Sequence, residues 1–125
     1  MADLPPPVLE VFYSPTCAPC RLELPVVAES LKHGGARIHI VILDQEERAR
    51  RELRDVSVEL EAAAEGRYDS SPNAVLRAAG NPNGILPYAR SMTASGAVCA
   101  KWAGGLTLAR IRDMVAACAR LISPG

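Results

Sequence analysis

Two cysteines separated by two residues are the part of this sequence best suited to chemistry. Cys17 and Cys20 enclose Ala18 and Pro19, follow an apolar run and open a helical pattern. Backbone N–H groups at a helix start have no partner within the helix, so they favour a negative charge on the sulfur of Cys17. A thiolate attacks disulfides, and a second thiol one turn away can displace what the first has captured. The spacing therefore predicts a redox-active dithiol, with Cys17 as the nucleophile and Cys20 as the more buried resolving thiol.

Half of a structural zinc site is the main alternative for this pair. Such a site needs two further ligands at matching spacing. Cys99 and Cys118 lie far apart in unlike predicted elements, and neither has a second cysteine close to it in the sequence. We therefore predict no metal, and no cofactor besides the Cys17–Cys20 disulfide. Cys99 and Cys118 are expected to be small buried apolar residues, with a regulatory role as the alternative.

Composition predicts one folded domain over residues 1–125. The chain has 125 residues, 49% of them hydrophobic, so it can bury a sizeable core. Its 14 basic and 14 acidic residues balance, which argues against nucleic acid or an anionic membrane as a partner. No apolar segment approaches the roughly 20 residues that span a bilayer. The first residues lack the basic and apolar regions of a signal peptide, so we expect a cytoplasmic location. We also expect the protein to be a monomer.

The hydrophobic pattern predicts an α/β fold. Residues 8–13 and 38–43 resemble buried strands, and the segment 18–33 between them is helical, with a bend expected at Pro25. These elements form a βαβ unit, whose strands are parallel. A charged surface helix follows at 45–65, and a short helix at 73–79. Two strands at 85–92 and 97–102 form a hairpin, and a last helix begins at Thr107. The order is β-α-β-α(α)-β-β-α.

Four features of the chain together resemble the thioredoxin superfamily. The Cys17-Ala18-Pro19-Cys20 motif is similar to the family's Cys-Gly-Pro-Cys, and Pro25 stands where that family bends its active-site helix. Leu86-Pro87 stands at the family's cis-proline loop, and Gly104-Gly105-Leu106-Thr107 resembles its glycine turn before the last helix. The resemblance covers residues 8–43 and 85–122. It implies a minimal thioredoxin-like fold with a four-stranded mixed sheet, and an enlarged helical connection before the cis-proline strand.

The resemblance also implies an activity. The chain looks like a thiol–disulfide oxidoreductase that acts on protein disulfides or dithiols through a mixed disulfide, with an electron donor that the sequence does not identify. If the Leu86–Pro87 bond is cis, the backbone of Leu86 would pair with an extended substrate peptide across Cys17. Pro19 and Tyr88 complete the predicted substrate-binding set, although Tyr88 equally suits a core position.

Two positions depart from the family pattern. Thr16 stands where thioredoxin has a tryptophan, and Val11 stands where it has a buried aspartate that serves the proton traffic of the second cysteine. Glu10 is adjacent to Val11, but alternation along a strand sends it to the opposite face. The sequence therefore leaves the proton acceptor of Cys20 unassigned.

Two other functions remain open at this point. A glutaredoxin-like protein would use glutathione, whose carboxylate Gly104-Gly105 could hold, although Leu106-Thr107 replace the acidic pair that often follows in glutaredoxins. A binding or chaperone module would instead recruit a partner through residues 45–84, with its thiols secondary.

Overall fold

Helices flank a five-stranded mixed sheet. A computed structural model describes residues 5–33, 35–66 and 70–122. In chain order the elements are β1 Val8–Tyr13, α1 Ala18–Leu22, α2 Leu24–His33, β2 Arg37–Ile42, α3 Glu46–Val56, α4 Val58–Ala62, β3 Ala64–Gly66, α5 Pro72–Ala78, β4 Tyr88–Met92, β5 Val98–Ala103 and α6 Leu108–Ile122. Within these described residues, no helix combines the length and apolarity needed to cross a bilayer.

The strand order places β1 at the centre of the sheet. The order is β3-β2-β1-β4-β5, with β1 parallel to β2, β2 parallel to β3, and both β1–β4 and β4–β5 antiparallel. Val11 lies opposite Ile40 on one side and Ala89 on the other. The predicted βαβ unit and the predicted hairpin are thereby confirmed. Because β1 leads directly into the cysteine pair, the most enclosed strand of the sheet positions Cys17 and Cys20.

Alternation along β1 divides the core into two clusters. Leu9, Val11 and Tyr13 point into the larger cluster, which also contains Leu24, Val27, Ala49, Leu53, Leu60, Ile111 and Met114. Phe12 points to the other face, where it packs with Val41, Leu43, Leu76, Ala79 and Tyr88. Helix α2 and α6 therefore share one face of the sheet, and α5 covers the other.

The prediction of a single helix over 45–65 is wrong for the second half of that range. Ser57 has an extended backbone, with φ −165° and ψ 132°, and its side-chain oxygen accepts from the N–H of Leu60 to begin α4. The chain then forms β3, which pairs in parallel with β2 from Ile40 opposite Ala64. The sheet consequently has five strands rather than four. Three residues, Ala-Glu-Gly, carry no usable alternation, so only the tertiary pairing with β2 specifies this edge strand.

The bend expected at Pro25 is present as a break between α1 and α2 at Glu23. Proline has no N–H to continue the ladder of a preceding helix, so α2 begins around it as a separate helix. The break falls one turn after Cys20, and it leaves Glu23 between the two helices.

Candidate redox site

The start of α1 positions the cysteine pair. Cys17 is the N-cap residue, with φ −96° and ψ 100°, and its Sγ accepts from the N–H of Cys20 at 3.2 Å. Pro19 sits in the first turn, where its missing N–H is not needed. Cys17 and Cys20 are joined in a disulfide with a Cα–Cα distance of 5.2 Å, inside the range that such bonds adopt.

The two sulfur-bearing residues differ in exposure. Cys17 is partly exposed, whereas Cys20 is only 1% exposed and packs in the larger core cluster. An incoming thiolate or disulfide can therefore reach Cys17 but not Cys20. This asymmetry is what a nucleophile and a resolving thiol require.

The loop before β4 lies at the same end of the sheet as this pair, because Phe12 near the end of β1 lies opposite Tyr88 at the start of β4. The Leu86–Pro87 peptide bond is cis, and Pro87 is buried. Gly104 donates its N–H to the Pro87 carbonyl at 2.8 Å, which ties the loop to the end of β5. Leu86 and Cys17 are both partly buried and pack against the same core cluster.

Tyr88 lies in the core, which is the alternative that the sequence left open. Its side chain is 3% exposed, its hydroxyl donates to the Ala79 carbonyl at 2.7 Å, and its ring centroid is 5.4 Å from that of Phe12. Burial raises the pKa of its hydroxyl above the usual value. The Tyr88 side chain therefore packs in the smaller core cluster and is not available to a substrate.

Exposed apolar side chains occur on the helix that Cys17 opens and just before the cis-proline loop. Pro19 is exposed, Leu22 on the same short helix is 80% exposed, and Ile85 just before the cis-proline loop is 50% exposed. Burying such side chains against a partner is favourable. The rim of the pair therefore suits an apolar peptide better than a charged one.

Glu23 is a buried carboxyl close to Cys20 in the sequence, and sequence reasoning missed it. It follows Cys20 by three residues and is only 6% exposed. Its Oε1 accepts from the N–H of Leu106 at 3.1 Å. Burial raises the pKa of this carboxyl from 4.5 to about 7, while the hydrogen bond from Leu106 opposes that shift. The sequence did carry a signal, because Cys20, Leu24 and Val27 mark the buried side of this segment and Glu23 falls among them.

Neither of the other two positions considered for proton traffic contributes a carboxyl here. Val11 is 2% exposed and lies in the same apolar cluster as Cys20. Glu10 faces the opposite side of the sheet, as expected, and its Oε1 accepts from Nε of Arg90 at 2.7 Å.

Polar contacts hold the turn between β1 and α1. The Ser14 hydroxyl donates to Oδ1 of Asp44 at 2.8 Å, and its oxygen lies 2.8 Å from the Thr16 hydroxyl. The Cys17 N–H donates to the Ser14 carbonyl at 3.0 Å. Arg21 donates to the Pro15 carbonyl. The backbone that presents Cys17 is thus fixed on both sides of the cysteine.

The structure corrects the prediction for Cys99 and Cys118. They are not separate apolar residues, because a disulfide joins them with a Cα–Cα distance of 5.0 Å. Cys118 on α6 is 1% exposed, whereas Cys99 on β5 is partly exposed. Nothing in the sequence spacing signals this pairing, because the packing of α6 against β5 brings the two residues together. No group of three or more potential metal ligands occurs in the described ranges.

The chain resembles known proteins in its structure, whereas its sequence matches none of the families or curated proteins compared. No family model matches the chain, and no curated protein matches it. Among solved structures, a thioredoxin-related protein from Neisseria meningitidis serogroup B is 19% identical with a TM-score of 0.75, covering 89% of this chain and 83% of its own. DsbF of Mycobacterium tuberculosis is 22% identical with a TM-score of 0.68, covering 91% and 81%.

A third solved structure is a secreted disulfide oxidoreductase of M. tuberculosis homologous to E. coli DsbE. It is 14% identical with a TM-score of 0.63, covering 90% of this chain and 81% of its own. These likenesses agree with the fold that the sequence motifs predicted. The chain has the fold of the thioredoxin superfamily.

Proposed function

We propose that this chain is a thiol–disulfide oxidoreductase that exchanges its Cys17–Cys20 disulfide with the disulfides or dithiols of other proteins. The observation that carries the proposal is the pairing of a partly exposed and a buried sulfur at a helix start, at the same end of the sheet as a cis-proline loop. Two of the similar structures are described as DsbF and as a disulfide oxidoreductase, which supports the same activity.

The proposed reaction begins with the reduced pair. The Cys17 thiolate attacks one sulfur of a substrate disulfide, the substrate S–S bond breaks, and the departing substrate thiolate takes a proton. Cys20 then loses its proton and attacks the Cys17 sulfur of the mixed disulfide, which releases the second substrate thiolate. The substrate gains two electrons and two protons, and the Cys17–Cys20 pair is left as a disulfide. A dithiol donor restores it, and the same steps run in reverse oxidise a substrate dithiol.

Glu23 fits the proton acceptor that the sequence left unassigned. Cys20 is buried, so its proton needs an internal acceptor when the second step begins. A carboxyl with a pKa of about 7, one turn further along the chain, is partly ionised at neutral pH. The Leu106 N–H holds the carboxylate in place for this proton transfer.

The exposed apolar side chains of Pro19, Leu22 and Ile85 indicate which kind of substrate the site would bind. An extended segment could pair with the Leu86 backbone while its cysteine meets Cys17, since both residues pack against one cluster. Leu22 and Ile85 would then contact apolar side chains near the substrate cysteine. Protein disulfides in apolar, locally extended segments are the expected substrates.

Two alternatives receive less support from the geometry. The Gly104 N–H, one candidate for a glutathione carboxylate, already donates to the Pro87 carbonyl. In the segment 45–84, Ala49, Leu53, Leu60 and Leu76 are buried core residues. That segment therefore builds much of the fold instead of standing apart from it as a recruitment arm.

Reduction of insulin disulfides, with dithiothreitol as the electron donor, tests the proposal. We expect wild type to accelerate the reaction and Cys17→Ser to abolish the acceleration. Cys20→Ser should accumulate a covalent complex with insulin through Cys17, because the resolving thiol is missing. A control outside the redox site is Glu47→Gln, an exposed residue of α3, which should retain the activity of wild type. Equal acceleration by wild type and Cys17→Ser would overturn the proposal.

A further inference from the structure

The second disulfide lies at the opposite end of the sheet from the redox pair. In the β4–β5 hairpin, Tyr88 next to the cis-proline loop lies opposite Ala103, whereas Val98 next to Cys99 lies opposite Met92. Met92 in turn lies opposite Val8, the first residue of β1, whose far end leads to Cys17. Cys99 lies four residue steps along the strand from Ala103, which is about 13 Å. The two disulfides are therefore too far apart to exchange with each other directly.

The surroundings of Cys118 disfavour opening of this bond. Its burial prevents attack on its own sulfur, so a thiolate could attack only the partly exposed Cys99 and would have to expel Cys118. Cys118 lies in the C-terminal part of α6, away from the N-terminus of that helix, and borders an apolar groove with Val115 and Ala119. A thiolate is poorly stabilised in apolar surroundings and is a poor leaving group. Cys17, by contrast, receives the Cys20 N–H.

The Cys99–Cys118 bond closes a ring whose far end supports the redox site. That ring contains the turn between β5 and α6. Within the turn, the Gly104 N–H donates to the Pro87 carbonyl at 2.8 Å. The Leu106 N–H donates to Glu23 at 3.1 Å. Both the cis-proline loop and the buried carboxyl are thus held by residues of this ring.

We propose that Cys99–Cys118 is a permanent structural cross-link, which stays oxidised while Cys17–Cys20 cycles and keeps the 99–118 ring packed against the redox site. The repeated oxidation and reduction of Cys17–Cys20 in this proposal rests on the proposed function. Persistent structural disulfides belong to oxidising compartments. The cross-link therefore places maturation of this chain in such a compartment, in contrast to the cytoplasmic location expected from the sequence.

Graded reduction of the oxidised wild-type protein tests the cross-link. The native protein is equilibrated with increasing dithiothreitol, free thiols are alkylated, and the labelled cysteines are mapped by mass spectrometry. We expect Cys17 and Cys20 to be labelled first, and Cys99 and Cys118 to be labelled only after a denaturant is added. Labelling of Cys99 and Cys118 together with, or before, Cys17 and Cys20 would overturn the proposal.

A second measurement addresses the support of the redox site. Relative to wild type, Cys99→Ser/Cys118→Ser should lower the Tm by about 10 °C. It should also speed amide hydrogen exchange at Gly104 and Leu106. An unchanged Tm together with unchanged exchange would contradict a stabilising cross-link. Insulin reduction is read separately, so failure of the proposed function, seen as no activity in wild type, is distinguishable from failure of the cross-link.

Discussion

Replacing Glu23 by glutamine gives a prediction whose size follows from the structure. Glu23 is 6% exposed, and burial raises its pKa from 4.5 to about 7. A raised carboxyl pKa means that the folded state binds the proton more tightly than the unfolded state. Ionised Glu23 therefore destabilises the fold above pH 7, and the penalty disappears as the pH falls to about 4.5.

The size of this penalty comes from the two pKa values. A shift from 4.5 to about 7, at about 1.4 kcal/mol per unit, gives roughly 3 kcal/mol as an upper value. Glutamine has a similar shape, keeps an oxygen for the Leu106 N–H and carries no charge. Glu23→Gln should therefore be more stable than wild type at pH 8, by up to roughly 3 kcal/mol, with a difference that shrinks towards zero below pH 5.

Urea unfolding of the oxidised proteins at pH 5 and pH 8 measures this difference. Glu47→Gln, an exposed acid on α3, is the matched control and should follow the pH dependence of wild type within about 0.5 kcal/mol. At pH 7, Glu23→Gln should also release substrate from the mixed disulfide more slowly, because Cys20 loses its proton acceptor. If wild type and Glu23→Gln share one pH dependence of stability, the reasoning about this carboxyl is refuted.

Three further changes test separate parts of the structure. Cys99→Ser/Cys118→Ser removes a cross-link between residues 19 apart, which should cost about 3 kcal/mol in urea unfolding, and no loss would contradict a stabilising role. Leu22→Asp should lower kcat/KM for insulin roughly tenfold, since it removes apolar contact worth more than 1 kcal/mol, while leaving reduction of a small aromatic disulfide unchanged. Leu121→Asp, exposed near the end of α6, is its control, and equal effects of the two variants would argue against a docking role for Leu22. Tyr88→Phe should lose about 1 kcal/mol of stability with the hydrogen bond to Ala79, yet keep insulin reduction, whereas a selective loss of activity would assign Tyr88 to the substrate groove.

Local patterns in the sequence were sufficient for most of the framework. The apolar strands β1 and β2, the hairpin turn after Met92 and the last helix each have a signal contained within their own residues. The boundaries are less well determined, since β4 begins at Tyr88 and not at residue 85. Its predicted first residues form the cis-proline loop, whose conformation depends on contacts with β5.

The missed features depend on contacts between distant residues. The strand Ala64–Gly66 exists because it pairs with β2, and the Cys99–Cys118 bond exists because α6 packs on β5. Glu23 was overlooked for another reason, since a carboxyl between apolar neighbours on a helix suggests an exposed residue. Its position on the buried side of this segment was the available signal, and the break between α1 and α2 and the N–H of Leu106 show how the carboxyl is accommodated there.

The redox equilibrium of Cys17 and Cys20 in graded glutathione buffers tests the central claim most directly. The two sulfurs are read by alkylation and mass spectrometry, with Cys99 and Cys118 as internal references. We expect one reversible two-electron transition, confined to Cys17 and Cys20, without a lasting glutathione adduct on Cys17. A persistent adduct would favour a glutathione-dependent reaction, and no transition over the whole range of buffers would contradict an exchange function for this pair.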